Sequence, residues 1–158
     1  MIATTEYAER LEALKRHLIL FEDFTEDELD GQLVETEWKR FEVYGREYAV
    51  LTDEEADREV REYILETLWA FRPHFILMHT DFFHTSTIEA DEAFEESLEI
   101  LQGRLCEDAN PIILALIRDI DEFIDDAIEA DGRGHFLATY DGDERETNDC
   151  KYYIYRMN

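Results

Sequence analysis

Positively charged side chains are scarce in this sequence. Only 15 Lys and Arg stand against 41 Asp and Glu, so the formal net charge is -26. A small domain needs only about 2–8 units of net charge to stay in solution, and a larger excess destabilises the compact state by self-repulsion. A field of this sign repels nucleic acid and anionic membranes, and it attracts basic surfaces such as the DNA-binding grooves of other proteins. We therefore expect no direct contact with nucleic acid or membrane.

Cysteine and long apolar runs are scarce as well. The two cysteines, Cys106 and Cys150, indicate neither a disulfide framework nor a zinc site, and they are typical of a cytoplasmic chain with reduced thiols. Cys106 has apolar neighbours near a predicted helix end, so we expect it to pack in the core. No run approaches the roughly 18 apolar residues of a membrane span. The first residues lack the basic start and apolar run of a signal peptide.

The composition nevertheless predicts a folded protein. Apolar residues make up 45% of the 158 residues and aromatic residues 13%, which is enough for a sizeable core. This length fits a single domain over residues 1–158. A halophilic origin is one explanation of the acidity, and the low lysine content (three Lys against twelve Arg) fits it. The excess of Glu over Asp, 25 to 16, fits it less well.

Hydrophobic periodicity predicts an α+β fold, in which four or five helices pack on a small antiparallel sheet. Apolar residues recur at helical spacing in four segments. One helix is expected to run from about Ile88 to Leu105, with Leu98 and Leu105 on its inner face, and another from Asn110 to Gly132. Residues 38–51 alternate in polarity around Gly45 and indicate a β-hairpin. Residues 151–157 alternate again and indicate a C-terminal strand. Because a lone hairpin is marginally stable in water, we expect this strand to pair with the hairpin.

Acidic residues are concentrated on two of the predicted helices. Residues 89–131 hold fifteen carboxylates and two bases, a net charge of -13. The apolar stripes of these helices must face the core, so the carboxylates are expected to face water. Positions three or four apart lie roughly 5–6 Å from each other on a helix, which places the carboxylates in ladders. The predicted partner-binding residues are Glu89, Asp91, Glu92, Glu95, Glu96, Glu99, Asp119, Asp121, Glu122, Asp125, Asp126 and Glu129.

No pattern in the sequence predicts catalysis. His79 and His84 are five residues apart with Asp81 between them, and they lack the four-residue spacing of a zinc-binding helix. The acidic stretch at 141–146 lacks the alternating ligands of a calcium loop, and a turn at Asp141-Gly142 explains it better. We therefore predict a non-enzymatic protein with no cofactor and no metal.

Two segments resemble a known family. Tyr48–Asp57, with Leu68–Phe71 after it, is one, and Gly132–Glu144, followed by Tyr152–Arg156, is the other. They resemble an uncharacterised family of small acidic proteins encoded by phages and mobile elements. This family has no catalytic motif to carry over. In charge and size, the chain is also similar to DNA-mimicking antirestriction and anti-CRISPR proteins, which is an analogy of character and not of motif.

Together, charge and resemblance predict a phage-type anti-defence inhibitor, acting in the cytoplasm of an infected bacterial host. Its acidic helices would occupy the nucleic-acid-binding groove of a basic host protein, either a CRISPR effector or a restriction enzyme. The alternative is a structural or adaptor protein that binds through an apolar patch, made of Trp69, Phe71, Phe75, Phe82 and Phe83. The oligomeric state stays open, with a homodimer among the alternatives. Residues 132–144 are expected to form a structural joint that depends on Gly132 and Gly134.

Overall fold

The structure is a computed structural model that describes residues 2–83 and 85–158, with side chains from residue 5 onward. Its helices are α1 (Ile2–Phe21), α2 (Glu26–Leu29), α3 (Asp53–Glu66), α4 (Pro73–Met78), α5 (Ile88–Leu105), α6 (Asn110–Leu116) and α7 (Ile120–Leu137), with 3-10 turns at Leu68–Ala70 and Cys106–Ala109. Its strands are β1 (Val34–Glu37), β2 (Arg40–Val43), β3 (Arg46–Leu51), β4 (Arg145–Glu146) and β5 (Tyr153–Arg156). The predicted α+β class is confirmed.

The chain divides into two compact units. The sheet unit contains the residues up to 60 together with 133–158, and the helical unit contains residues 61–132. The expectation of a single domain stays a prediction. None of the helices in the described ranges has the length and apolar character needed to cross a membrane.

The sheet has the strand order β1-β2-β3-β5-β4, and all of its neighbours are antiparallel. The predicted hairpin is β2 and β3, and the predicted C-terminal strand is β5, which pairs with β3 in the register Val50 to Ile154. Two strands were not predicted. β1 is exposed at all four positions and β4 has two residues, so neither shows the apolar alternation by which a strand is recognised.

The core of the sheet unit lies between α1 and the sheet. Leu14 and Leu18, which are fully buried, pack with Phe41, Tyr48 and Ile154. These residues occupy the helical and alternating positions that the sequence patterns predicted. Two helices of this unit begin with a capping box, since Thr25 bonds reciprocally with Glu28 and Thr52 with Glu55.

The helix expected over residues 110–132 is two helices, so this prediction was wrong. α6 ends before Ile117, whose backbone is extended. The Arg118 amide donates to the His79 carbonyl at 2.8 Å, and the Asp119 carboxylate then accepts from the next free amides and caps α7. Tertiary pairing therefore overrides a continuous apolar pattern. The expected interruption at Gly132 is present, with φ 79 and ψ 155.

Arg10 connects three elements of the sheet unit. Its side chain is 2% exposed, and its guanidinium donates to the Val50 carbonyl at 2.5 Å, to both oxygens of Glu55 at 2.8 and 3.0 Å, and to Glu6 at 2.5 Å. Lys39 adds a second cation 3.0 Å from Glu55. Burial alone would raise the pKa of Glu55, but the bonds from Arg10, Thr52 and Lys39 outweigh it and lower the pKa to about 2. The ionised carboxylate thus holds α1, the turn between β1 and β2, and α3 together.

We expect Glu55→Gln to destabilise the protein at neutral pH by about 1.5–3 kcal/mol, the usual contribution of hydrogen bonds to charged groups. Because the folded pKa is depressed below the unfolded value of 4.5, this contribution is present above pH 4.5 and is lost as the pH falls towards 2. Urea unfolding at a series of pH values measures it. Glu54→Gln, at an exposed neighbour, is the control and should change the free energy of unfolding by no more than about 0.5 kcal/mol. A destabilisation by Glu55→Gln that stays constant across the pH series would disprove the assignment.

Gly134 allows the 142–144 loop to touch α7. A Cβ atom at this position would lie 2.4 Å from the Gly142 carbonyl oxygen and 2.7 Å from the Glu144 amide nitrogen. The adjacent residue, Arg133, forms ion pairs with Glu144 of the same loop and with Asp53 and Asp57 of α3, at 2.7 to 2.8 Å. Arg133 therefore links the loop to α3. Phe136 is buried. Tyr140 is 59% exposed and lies under the Arg156 guanidinium. These contacts give residues 132–144 the role of a structural joint.

Two glycine-to-alanine changes should alter the free energy of unfolding in opposite directions. Gly134→Ala should destabilise by about 1–3 kcal/mol or more, because backbone atoms and not flexible side chains must move. Gly103→Ala should stabilise by about 0.5–1 kcal/mol, since this helical glycine has nothing within 4 Å of the new methyl group. Denaturant unfolding compares both variants with the parent. Equal effects in the two would show that the loop contact is not tight.

Candidate interaction face on the acidic helices

α5 has the bounds that its sequence pattern predicted. Thr87 caps its first turn by accepting from the Ala90 amide. Leu98 is 3% exposed, and the side-chain amide of buried Gln102 donates to the Phe71 carbonyl at 2.7 Å. Leu105 was expected on this inner face but is 38% exposed. One side of α5 is therefore fixed by packing over its middle turns.

The opposite side of α5 is the acidic outer face, formed by Glu89, Glu92, Glu96 and Glu99. At about 100° per residue, these four positions fall within about 80° of arc. All four side chains are exposed. Among the described residues, none of them makes an ion pair or a side-chain hydrogen bond. The structure thus brings them together as four uncompensated charges.

The other two predicted α5 residues point away from this face. Asp91 is half-buried and accepts from the Ser86 hydroxyl. Glu95 is half-buried, and its carboxylate lies 2.8 Å from the His74 ring. Both carboxylates hold the helix to neighbouring segments, so they are not part of the acidic outer face.

The predicted α7 carboxylates are exposed, but several have partners. Asp121 pairs with Arg61 at 2.5 Å, Glu122 with Arg118 at 2.8 Å and Asp126 with His79 at 3.0 Å. Asp119 caps the helix. Only Asp125 and Glu129 among the predicted α7 residues lack such a contact in the described part of the chain. α7 therefore presents less uncompensated charge than the sequence suggested.

α4 lies between the two acidic helices. Phe75 packs edge-on against Phe123 of α7 with ring centroids 4.9 Å apart, while His74 contacts α5 and His79 contacts α7. The five-residue spacing of the two histidines turns them about 140° apart on the helix, so each reaches a different neighbour. His79 is 5% exposed, and its ring nitrogens lie 2.8 Å from the Phe75 carbonyl and 3.0 Å from Asp126.

Ion pairing differs sharply between the two units. In the sheet unit, eleven of 23 carboxylates bind Lys or Arg in the described structure. In the helical unit, Arg binds two of 18, Asp121 and Glu122, within residues 61–83 and 85–132. With four arginines, the helical unit carries a net charge of -14 on 72 residues. The sheet unit carries the remaining -12 on 86 residues, so the two units differ mainly in how many carboxylates are ion-paired and only modestly in net charge.

The charge density of α5 is close to that of a nucleic acid. Six carboxylates lie between Glu89 and Glu99, over a rise of about 15 Å, which is one charge per roughly 2.5–3 Å. Duplex DNA has one per 1.7 Å of axis with both strands counted and one per 3.4 Å for a single strand. The spacing of charge on α5 therefore falls between these two values.

Other predicted features lie elsewhere. Cys106 was expected in the core but is exposed, with a positive φ of 49°, because the chain turns there out of α5. Cys150 is exposed too, and a hydrogen bond and negative charge from Glu146 raise its thiol pKa. His84 lies outside the described residues. Groups of three or more metal-ligating side chains are absent from residues 2–83 and 85–158.

The sequence did not point to the partners of the acidic helices, Arg61, His74 and His79, because they are distant along the chain.

Comparison with family models, curated proteins and solved structures finds no match to this chain. The resemblance to small acidic phage proteins stays a prediction. The functional argument therefore rests on the geometry above.

Repulsion along the acidic outer face has a measurable consequence. Glu96 lies four residues after Glu92 and three before Glu99, and like charges at these spacings cost about 0.2–0.5 kcal/mol per pair. We expect Glu96→Gln to raise the free energy of unfolding by about 0.4–1 kcal/mol at low salt, and by less at high salt. Glu12→Gln is the matched control: Glu12 pairs with Arg16 at 3.0 Å, so its loss should destabilise slightly. A destabilising Glu96→Gln would mean that Glu96 has a cationic partner.

Proposed function

We propose that this protein is an anti-defence inhibitor that occupies the nucleic-acid-binding groove of a host nuclease through the acidic outer face of α5. The target would be a CRISPR effector or a restriction enzyme in the cytoplasm of an infected bacterium. The observation that supports this proposal is the set of four exposed carboxylates on one packed helix, none of which has an ion-pair partner among the described residues. No catalytic step is involved, because occupation of the groove is sufficient to exclude nucleic acid.

The electrostatics favour binding to a basic groove. Exposed carboxylates interact with Lys and Arg of a partner at a modest 0.2–1 kcal/mol or so per pair, but complementary potentials also accelerate association and exclude partners of like charge. A groove built for phosphates presents several cations in a row. Four or more such pairs, together with steering by the net charge of -26, support competition with DNA for the same surface.

Packing keeps the carboxylates in place before a partner arrives. α5 is capped by Thr87, held by Leu98 and Gln102, and tied to α4 through Glu95 and His74. The like charges that would weaken an isolated helix are therefore held on a fixed backbone. A preorganised face loses less conformational entropy on binding than a disordered acidic tail would.

The adaptor alternative has less support. Of the five aromatic residues proposed for its apolar patch, Trp69, Phe71 and Phe75 are half-buried. Phe71 and Phe75 both pack against Phe123, with centroids 5.0 and 4.9 Å apart. Phe82, which is 39% exposed, stacks on Phe94. Phe82 and Phe83 are 39% and 36% exposed, so the open part of this cluster in the described structure is limited to these two rings.

The direct test is phage plating on bacteria that each carry one CRISPR or restriction system and express this protein. We expect phage to regain plating efficiency against at least one system. Simultaneous Glu→Lys changes at Glu89, Glu92, Glu96 and Glu99 should abolish protection, because four attractive contacts become repulsive. Binding to the purified nuclease should weaken at least tenfold, which corresponds to about 1.4 kcal/mol. It should also weaken as salt rises and as duplex DNA is added.

The matched control makes the same change of charge on the sheet unit. Asp30, Glu35, Glu37 and Glu42 are exposed, and none has an ion pair in the described structure. Changing these four residues to Lys alters the net charge equally and should leave protection intact. Two results would refute the proposal. One is protection that survives the α5 changes, and the other is protection that is lost equally in both variants, which would implicate only the total charge.

A further inference from the structure

The sheet unit contains a cavity of about 510 Å³ near the end of α1. This volume is within the range of about 300–1,000 Å³ for small-molecule sites. Its lining is mixed in charge, with three arginines and four carboxylates. The apolar part of the lining comes from Phe21, which is 68% exposed, and Ile154, which is buried.

His17 lines this cavity, and its ring makes no hydrogen bond within the described residues. The His17 side chain is 8% exposed, and a charged neighbour, Glu22, is 3.9 Å away, which is too far for a hydrogen bond. Burial lowers the pKa of His17, although the Glu22 charge opposes this. The ring is therefore neutral at physiological pH, with one nitrogen that donates and one that accepts. The ring nitrogens are not fully enclosed, because Arg10 Nε is the one enclosed side-chain N or O atom without a partner in the described residues, so a ligand in the cavity can reach them.

One carboxylate oxygen of Glu22 and the Nη groups of Arg156, both near His17, make no hydrogen bond within the described residues. One oxygen of Glu22 accepts from Arg46 at 2.8 Å and from the Tyr48 hydroxyl at 2.7 Å, while the other has only the distant His17 contact. The Arg156 Nε donates to the Asn158 carbonyl oxygen, and the Arg156 Nη1 is 3.9 Å from Glu22. The cavity thus offers free N–H donors from Arg156 beside a free carboxylate oxygen from Glu22.

We propose that this cavity binds a small zwitterion of the free α-amino acid class. The ligand's carboxylate would accept from Arg156, and its ammonium group would donate to the free oxygen of Glu22 and to the His17 ring. A side chain would lie against Phe21 and Ile154. The net charge favours this class over a simple anion, because a molecule that is neutral overall is not repelled by a protein of charge -26.

Three ligands that share the same hydrocarbon side chain test whether both charged groups are needed for binding. They are L-leucine, 4-methylpentanoate, which lacks the amino group, and 3-methylbutylamine, which lacks the carboxylate. The readout is the pair of His17 ring signals in a ¹H–¹³C spectrum of protein labelled in histidine, titrated at constant ionic strength. We expect leucine to shift these signals in a saturable way, and each analogue to bind at least tenfold more weakly. An analogue that binds as well as leucine, or the absence of any shift with all three, overturns the proposal.

Two arginine variants locate the binding. Arg156→Gln should abolish the shift with leucine. Arg58→Gln, at an exposed arginine without an ion pair in the described structure, changes the net charge equally and should preserve the shift. If Arg156→Gln fails to fold, Arg156→Lys takes its place; it keeps the charge but loses the planar set of N–H donors, and it should weaken leucine binding at least tenfold. Binding that persists unchanged in a folded variant at Arg156 contradicts the assignment, and these results are independent of the inhibitor function.

Discussion

This protein has fifteen cationic side chains for forty-one carboxylates, and the placement of the cations decides how the chain folds. The sheet unit contains eleven of the fifteen cations. There, Arg10 and Arg133 each connect carboxylates from segments far apart in sequence. Buried guanidinium groups of this kind are costly unless every neighbour is a good acceptor, so Glu55 and Glu144 are as necessary to the fold as the arginines. The four arginines of the helical unit leave most of its carboxylates to the solvent.

The parts of the fold that could be predicted are those fixed by local pattern. α5 begins and ends at the expected residues because Thr87 is a cap and the apolar positions recur at helical spacing. The hairpin and β5 follow from alternation around Gly45 and from the aromatic residues near the C-terminus. Elements without a local signal were missed. β1 has no buried position, and the break between α6 and α7 depends on a hydrogen bond to His79, which is 39 residues away from Arg118 in sequence.

The candidate site could be predicted in outline but not in detail. The sequence predicted that the twelve carboxylates face water, because charge on the polar face of an amphipathic helix is a local property, and ten of the twelve are exposed. It did not separate the residues that have partners from those that have none in the described structure. Glu95 and Asp126 lie against His74 of α4 and His79 just after α4, whereas Glu96 and Asp125 have no such contact in the described residues. These partners come from segments distant in sequence, so no local pattern indicates them.

The outer edge of the sheet has a consequence for self-association. β1 is the last strand on its side, and its four residues are exposed. An open strand of this kind is a template for another chain, and uncontrolled pairing at such edges leads to aggregation. In β1, the residues at risk alternate with carboxylates, Glu35 and Glu37. Two copies that approached edge to edge would place these negative charges against each other. The repulsion opposes self-association through the unpaired backbone N–H and C=O groups of β1.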